Sequence, residues 1–159
     1  MVRGRWEWHP AEVPQGKPIP DSLRLLVTGS ERVPPAAFRE WQRLAPGVRF
    51  VNAYGPAEAT VTSTLWQGSS LFAGSEVPIG RPAGHASVLL RAPDGTPTPV
   101  GGEGEIVIGG QAVSGGYLDD PDSTARAFTA DAEGRLYRSG ALGRWSADGQ
   151  LMFLGREDR

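Results

Sequence analysis

The sequence VNAYGPAEAT, residues 51–60, joins a short apolar run to a tight turn that leads to a carboxylate beside hydroxyl groups. The residues up to Val51 favour a β-strand, and Gly55-Pro56 ends it, because proline cannot donate to a β ladder and glycine permits a sharp turn. One amide, one aromatic ring and one acid therefore lie at the carboxyl end of a predicted strand. We expect the residues after the turn to face a crevice.

The stretch before this strand predicts a βαβ unit. An apolar run over residues 23–27 ends at Gly29-Ser30-Glu31, which is typical of a strand buried on both faces. The helix that follows is predicted to begin at Pro34-Pro35. Its buried face would consist of Phe38, Trp41 and Leu44. Strands joined in this way run parallel with a right-handed crossover, so the loops that follow them should line one pocket at the same sheet edge.

The rest of the chain predicts mostly antiparallel β structure. Residues 59–66 are rich in β-branched side chains and alternate between apolar and polar residues. This pattern predicts another strand, with Val61 and Leu65 on one face. A Gly- and Ser-rich loop over 67–80 leads to four apolar runs, separated by Asp-Gly and Gly-Gly pairs that favour hairpins in a barrel-like subdomain. These runs are 86–90, 104–108, 136–138 and 151–154. A short helix is predicted within 122–128, with Asp122 or Ser123 as its cap.

The fold class is therefore α/β followed by mostly antiparallel β. We divide the chain into an irregular arm (1–20), part of an α/β subdomain (21–75), a β-rich subdomain (76–154) and a short terminal motif (155–159). In a larger sheet the βαβ unit would be covered, so here we expect an exposed strand edge that a homo-oligomer or another partner would cover.

Composition excludes several classes of function. The chain has 159 residues, a net charge of -2 and no cysteine. This charge and the scattered arginines argue against a nucleic-acid partner, and the lack of cysteine excludes disulfides and thiol catalysis and agrees with a cytoplasmic location. No apolar run is long enough to predict a membrane span. Two histidines without cysteines make a zinc site improbable.

Four short motifs occur in order along the chain. They are Asn-Ala-Tyr-Gly-Pro-Ala-Glu at 52–58, Gly-Glu-Ile-Val-Ile-Gly-Gly at 104–110 with Gly-Gly-Tyr-Leu at 115–118, Tyr-Arg-Ser-Gly-Ala-Leu at 137–142, and Gly-Arg-Glu-Asp at 155–158. In this order they resemble the core motifs of adenylate-forming enzymes, specifically the amino-acid adenylation domains of nonribosomal peptide synthetases. The resemblance covers about residues 21 to 159 and identifies the chain as a partial copy of such a domain.

The resemblance implies roles for individual residues. In this family a carboxylate attacks the α-phosphate of ATP, with Mg²⁺ neutralising the phosphates, and the acyl group then passes to a thiol. By resemblance, Tyr54 would stack on adenine, Asn52 would bond its exocyclic amine and Glu58 would bind Mg²⁺. Arg156 would approach the ribose, and Asp158 would be the hinge before a mobile subdomain. The other expected nucleotide-binding residues are Gly29, Ser30, Glu31 and Gly55, and the amino-acid side-chain pocket would comprise Leu26, Thr28, Ala53, Val61 and Thr62.

The pocket residues are small, apolar or hydroxylic, so they favour a neutral side chain of small to medium size. The chain also departs from the family pattern. Ala57 replaces a threonine near the phosphates, and Ala141 replaces the aspartate that accepts hydrogen bonds from the ribose hydroxyls. We further expect the family's phosphate-gripping loop and its subdomain with the catalytic lysine to be absent from this chain. Lys17 is not expected to replace that lysine, because it lies at the opposite end of the sequence.

These departures leave three interpretations. The first is a degenerate adenylation domain whose pocket persists but which does not catalyse adenylation alone. The second is an enzyme fragment that becomes active when complemented, which Ala141 disfavours because complementation would not restore the missing carboxylate. The third is a docking module for a carrier protein, a condensation domain or an adenylation helper protein.

Overall fold

The computed structural model describes residues 19–68, 72–132 and 134–156, which form two β-sheets and two α-helices. The first sheet contains β1 (Leu25–Thr28), β2 (Arg49–Tyr54), β3 (Thr64–Gln67) and β4 (Arg81–Pro82), with helix α1 (Pro35–Leu44) between β1 and β2. The second contains β5 (Ala86–Arg91), β6 (Glu103–Gly110), β7 (Phe128–Asp131), β8 (Gly134–Trp145) and β9 (Leu151–Arg156), with helix α2 (Pro121–Ala127) before β7.

The predicted βαβ unit is confirmed. Strands β1 and β2 pair in parallel, and α1 begins with proline in its first turn, where the missing N–H has no partner to lose. Phe38 of α1 is fully buried and packs edge to face against Phe50 of β2, with ring centroids 4.7 Å apart. Trp66 of β3 lies 5.1 Å from the same ring. This aromatic cluster packs α1 against the first sheet and so positions the loop that joins β1 to α1.

The prediction that the first strand is buried on both faces is wrong for the described residues. Strand β1 pairs with β2 alone at the edge of its sheet, so Leu25 and Val27 remain 41% and 55% exposed. The helix face also differs from the prediction, because Leu44 is exposed at the last turn of α1 whereas Phe38 and Trp41 are buried.

The predicted strand over residues 59–66 is mostly wrong. Strand β3 begins only at Thr64, and a 3-10 helix (Ala57–Ala59) followed by two left-handed residues, Thr60 (φ 55°) and Val61 (φ 69°), precedes it. Because β2 and β3 are antiparallel and Tyr54 lies opposite Thr64, the residues between them must reverse the chain. The reversal interrupts the alternation that the sequence suggested, and Val61 and Leu65 are exposed instead of sharing a packed face.

The second sheet confirms the antiparallel half of the predicted fold class. Strand β6 pairs with β5 and β8, while β8 pairs with β7 through its first residues and with β9 through its last. Asp-Gly pairs lie in the β5–β6 and β8–β9 connections, as expected for hairpins. Ile106, Ile108 and Leu151 form the buried centre of this part of the chain.

The N-cap of helix α2 is Asp120, and not Asp122 or Ser123 as the sequence predicted. The Asp120 carboxylate accepts a hydrogen bond from the backbone N–H of Ser123 at 2.9 Å, and Pro121 occupies the first helical position. Asp122 instead lies inside the first turn. Neither of the helices in the described ranges is long and apolar enough to cross a membrane.

Candidate functional site

A cavity of about 220 Å³ opens where the carboxyl ends of β1 and β2 meet β8 and β9 of the second sheet. The β1 and β2 loops converge there because their strands are parallel, as the sequence predicted. Eight residues singled out in the sequence line this cavity, namely Ser30, Glu31, Asn52, Ala53, Tyr54, Gly55, Ala141 and Arg156. Pro56, Val77, Ile79, Ser139, Phe153, Arg32 and Val33 complete the lining.

Asn52 supplies an oriented amide at the base of the cavity. The residue is 3% exposed, and its Nδ2 donates a hydrogen bond to the backbone oxygen of Pro78 at 2.8 Å. Since a carbonyl oxygen can only accept, this bond determines which end of the amide is nitrogen. The Oδ1 acceptor therefore lies on the opposite side of the amide, where it suits a ligand group that donates a hydrogen, such as an exocyclic amine.

Tyr54 and Phe153 supply the aromatic part of the cavity. Their ring centroids are 6.0 Å apart with an interplanar angle of 42°, so they do not stack face to face. Burial raises the pKa of the Tyr54 phenol, an effect that a hydrogen bond with Ser139 and the charge of Arg156 partly oppose. A neutral phenol ring in this position suits the flat face of a heterocycle.

The turn between β2 and the 3-10 helix requires glycine at position 55. A Cβ atom there would lie 2.5 Å from the backbone oxygen of Val61 and 2.6 Å from the backbone nitrogen of Ser63. The reversal thus packs directly on the end of β2, where the backbone N–H of Ser63 also bonds the Tyr54 oxygen at 2.8 Å. This close approach holds the Tyr54 backbone at the cavity wall.

Strands β8 and β9 contribute the opposite wall. Ala141, 2% exposed, lies directly across the ladder from Arg156. The Ser139 hydroxyl donates to the Ile106 oxygen at 2.6 Å and accepts from the Ala141 N–H at 3.1 Å, which orders this bend of β8. The guanidinium of Arg156 approaches the Ser139 backbone oxygen at 3.4 Å. Where the family motif has a carboxylate, the wall therefore presents a methyl group beside a cation.

Glu58 lies just beyond this lining, in the 3-10 helix. Its Oε1 accepts a hydrogen bond from the Tyr117 hydroxyl at 2.7 Å. Burial opposes ionisation, but hydrogen bonds from Tyr117, from its own backbone N–H and from Tyr137, together with the charge of Arg156, hold the pKa of Glu58 below its ordinary value. Burial and hydrogen bonding to Tyr117 raise the pKa of Tyr137 far above the usual range. Glu58 is thus an anion framed by neutral phenols.

The described residues of the site could hold Mg²⁺ only together with ligands from a bound substrate. Within residues 19–68, 72–132 and 134–156 there is no group of three or more His, Cys, Asp or Glu side chains that could hold a metal. Mg²⁺ commonly takes one or two protein carboxylates and completes its shell with water and substrate phosphates. One ionised carboxylate at Glu58 suits that arrangement, in which the phosphates would supply the remaining charge.

A second cavity of about 290 Å³ lies beside the first and shares Glu31, Arg32 and Val33 with it. Besides Glu31, three predicted site residues line it, namely Leu26, Thr28 and Gly29. The Thr28 hydroxyl is buried and finds no hydrogen-bond partner among the described residues. Val61 and Thr62 line neither cavity, and Val61 is 71% exposed. The structure therefore separates the five residues of the predicted side-chain pocket.

Sequence reasoning gave no role to several residues of the site, among them Ser139, Tyr117 and Phe153. Ser139 and Tyr117 lie inside quoted motifs but were given no role, and Phe153 lies in a run interpreted only as a strand. For Ser139 a signal was available, because strand alternation places it on the same face as Ala141, which the sequence analysis had singled out. Tyr117 had no such signal, since its contact with Glu58 spans 59 residues. The predicted hinge residue, Asp158, lies outside the described residues.

Comparison with known proteins agrees with this geometry. The profile of the AMP-binding enzyme family matches residues 8–118. A linear gramicidin synthase of Brevibacillus parabrevis is 43% identical over 88% of this chain, and bacitracin synthase 2 of Bacillus licheniformis is 42% identical over 76% of it. A solved NRPS protein containing adenylation and PCP domains superimposes with a TM-score of 0.80 at 30% identity, over 86% of this chain.

The chain spans only a small part of these proteins. It covers 2% of the gramicidin synthase, 5% of the bacitracin synthase and 29% of the solved adenylation and PCP protein. The described residues contain an α/β sheet, the turn with Asn52, Tyr54 and Glu58, and the antiparallel sheet that closes the cavity. The chain belongs to the AMP-binding enzyme family and is a fragment of an adenylation domain of the kind found in nonribosomal peptide synthetases.

Proposed function

We propose that this chain carries the adenosine-binding part of an amino-acid adenylation site, binds adenine nucleotides weakly and does not catalyse adenylation by itself. The observation that carries the proposal is the convergence of Asn52, Tyr54, Phe153 and Arg156 on one cavity at the carboxyl ends of parallel strands. That edge is where open α/β sheets bind their ligands.

The cavity favours the base and sugar of a nucleotide over the whole molecule. Its volume of about 220 Å³ is below the roughly 300–1,000 Å³ of typical small-molecule sites. Asn52 Oδ1 is positioned to accept from an exocyclic amine, and the Tyr54 ring provides an apolar face for a purine. An adenosine group would use both contacts, whereas the phosphates would extend past Pro56 toward Glu58.

Glu58 would hold Mg²⁺ together with those phosphates. When bound, the ion supplies positive charge that neutralises the phosphate oxygens. The side chains of this chain offer the phosphates less positive charge. Of the two arginines that line the cavity, Arg32 is paired with Glu76 at 2.6 Å, and Arg156 lies beside the Ser139 backbone oxygen.

The replacements at positions 57 and 141 support the lack of activity. Ala57 is exposed and offers no hydroxyl near the expected phosphate path, and Ala141 offers no acceptor to the ribose. Removing a single donor that stabilises a transition state lowers the rate by about 100- to 1,000-fold. The methyl group of Ala141 also weakens ground-state binding of the sugar, so both affinity and turnover are expected to be low.

The second cavity supports a proposal about the other substrate. Leu26 and Thr28 present an apolar side chain and an unsatisfied hydroxyl next to the adenosine cavity. A neutral amino acid with a small or hydroxylated side chain suits that lining. We also propose a carrier protein as the partner, because a solved relative combines an adenylation domain with a PCP domain.

Titration calorimetry of the chain with ATP and Mg²⁺ tests the proposal. We expect a dissociation constant on the order of 1 mM, equivalent to about -4 kcal/mol. Tyr54→Leu, which removes the ring from the cavity, should abolish binding. Leu118→Ala provides the control, because this side chain is 91% exposed and lies outside the cavity. Equal loss in both variants, or unchanged binding in Tyr54→Leu, would refute the assignment. Amino-acid-dependent exchange of pyrophosphate into ATP should stay at background.

A further inference from the structure

Tyr117 lies beside Glu58 and is held there by several contacts. It lies on the loop between β6 and α2, and its hydroxyl donates to Glu58 Oε1 at 2.7 Å. Its ring packs edge to face on Phe128 with centroids 5.5 Å apart, and its backbone N–H donates to the Thr124 hydroxyl at 2.9 Å. Contacts at the ring and at the backbone therefore fix where the phenol oxygen lies, independently of Glu58.

The loop is attached to the 3-10 turn by two further hydrogen bonds that do not involve the phenol. The Thr60 hydroxyl donates to the Ala112 oxygen at 2.7 Å, and the Ser114 N–H donates to the Glu58 backbone oxygen at 2.8 Å. Docking of the loop thus does not depend on the hydroxyl of Tyr117. The effect of that hydroxyl is to restrain the Glu58 carboxylate, to which Tyr137 contributes a second hydrogen bond.

A restrained carboxylate matters for a shared ion. Glu58 would be the single protein carboxylate on Mg²⁺ in the proposed site, so the ordering of its side chain is a cost that no second protein ligand offsets. With Oε1 bonded to the phenol, the carboxylate would meet the ion already ordered. Partners of this kind orient metal ligands in many sites, and their removal typically weakens metal affinity by about 10- to 100-fold.

We propose that Tyr117 is a positioning residue whose hydroxyl holds the Glu58 carboxylate for a divalent cation bound together with a nucleotide. This inference rests on the proposed function, because it requires the nucleotide to supply the remaining ligands. It assigns to the Gly-Gly-Tyr-Leu segment at 115–118 a role in the site that lies 59 residues earlier in the chain.

The test measures binding of Mn²⁺ together with ATP to the chain by the enhancement of water-proton relaxation, which responds to ion bound on the protein, and binding of ATP without metal by calorimetry. Tyr117→Phe removes one hydroxyl and keeps the ring contact with Phe128. We expect it to weaken Mn²⁺ binding about 10-fold, at the lower end of the range for such partners because Glu58 is half exposed, and to leave metal-free ATP binding unchanged.

Thr60→Val is the matched control. It removes a hydrogen bond of the same length between the same loop and the same turn, and it keeps the branched side chain at this left-handed position. We expect no change in Mn²⁺ affinity. Equal weakening in Thr60→Val and Tyr117→Phe would show that loop docking alone matters and would overturn the proposal, as would unchanged Mn²⁺ affinity in Tyr117→Phe.

Two further outcomes separate this proposal from the one on which it rests. If the wild-type chain binds no ATP with or without metal, the proposed function itself fails. If ATP binds but Glu58→Gln leaves Mn²⁺ affinity unchanged, the adenosine site stands and the role of Tyr117 is refuted. Thermal unfolding of each variant, monitored by circular dichroism, establishes that the compared chains are equally folded.

Discussion

Ala141→Asp should make the proposed nucleotide site bind ATP distinctly more tightly. Position 141 lies on the cavity wall, 2% exposed, directly across the β8–β9 ladder from Arg156. Cβ atoms of directly opposed residues are about 4.5–5.5 Å apart, so the new carboxylate would lie near the guanidinium. That neighbour favours the ionised form and offsets part of the desolvation that burial imposes.

The size of the gain follows from the hydrogen bonds that become available. A carboxylate at this position would accept from the two ribose hydroxyls, and hydrogen bonds to charged groups contribute about 1.5–3 kcal/mol each. Because the buried carboxylate also loses water, we take the net gain as that of one such bond. The affinity for ATP should therefore rise about 10- to 150-fold.

The assay compares ATP with 2′,3′-dideoxy-ATP by calorimetry for wild type, Ala141→Asp and Ala141→Asn. The gain should be large for ATP in the aspartate variant, smaller in the uncharged asparagine variant and absent for the dideoxy nucleotide. A gain of the same size with both nucleotides would refute the reasoning, because the carboxylate would then act without the ribose hydroxyls. An unchanged affinity for ATP would remove the sugar from this wall altogether.

Three further predictions concern the turn and the helix cap. Val61→Asn should stabilise the chain by about 1 kcal/mol in urea denaturation, because Val61 is exposed at φ 69° and asparagine tolerates this conformation better. Val100 is equally exposed, and Val100→Asn should leave stability unchanged. Equal shifts in the two variants would contradict the explanation. Gly55→Ala should destabilise it by about 1–3 kcal/mol, since the new methyl group would meet backbone atoms at 2.5 Å, and an unchanged urea midpoint would show that the turn can yield. Hydrogen bonds from Ser123 lower the pKa of Asp120, so its contribution to stability is present above the unfolded value of about 3.9 and is lost as the pH falls through the lower folded value. Asp120→Asn should keep the cap and abolish this difference between about pH 7 and pH 3, and the same pH dependence in both chains would exclude Asp120 as its source.

The sequence predicted those parts of the fold whose signals are local. Apolar runs, prolines at a helix start and Asp-Gly pairs each act over a few residues, so the βαβ unit and the antiparallel strands could be placed from them. Helix α1 begins at Pro35, one residue into the predicted Pro34-Pro35 start. The strand after Glu58 could not be placed in this way, because β-branched residues at 60 and 61 favour extended structure whereas the antiparallel pairing of β2 and β3 requires a reversal there.

Site residues could likewise be predicted where strand topology places them, and could not where tertiary packing does. Residues on the two parallel strands and their loops could be assigned to one pocket, because topology brings the ends of such strands together whatever the side chains are. The partner of Glu58 could not, since the hydrogen bond from Tyr117 depends on how the two sheets meet and leaves no periodic trace in the sequence. Burial was misjudged for a similar reason, as with Val27, because an apolar run does not state whether a neighbouring strand will cover it.

The two alanines that replace family residues, Ala57 and Ala141, have different physical consequences. Ala57 is exposed at the start of the 3-10 helix, so water can replace the missing hydroxyl at little cost to the folded chain. Ala141 is buried beside Arg156, where a carboxylate would have to be desolvated and would need that cation to remain ionised. A methyl group removes this demand and stabilises the wall while it removes the acceptor for the sugar. The cavity can therefore keep its shape, with Asn52 and Tyr54 in place, without a carboxylate at position 141, because the buried methyl group of Ala141 still completes the wall.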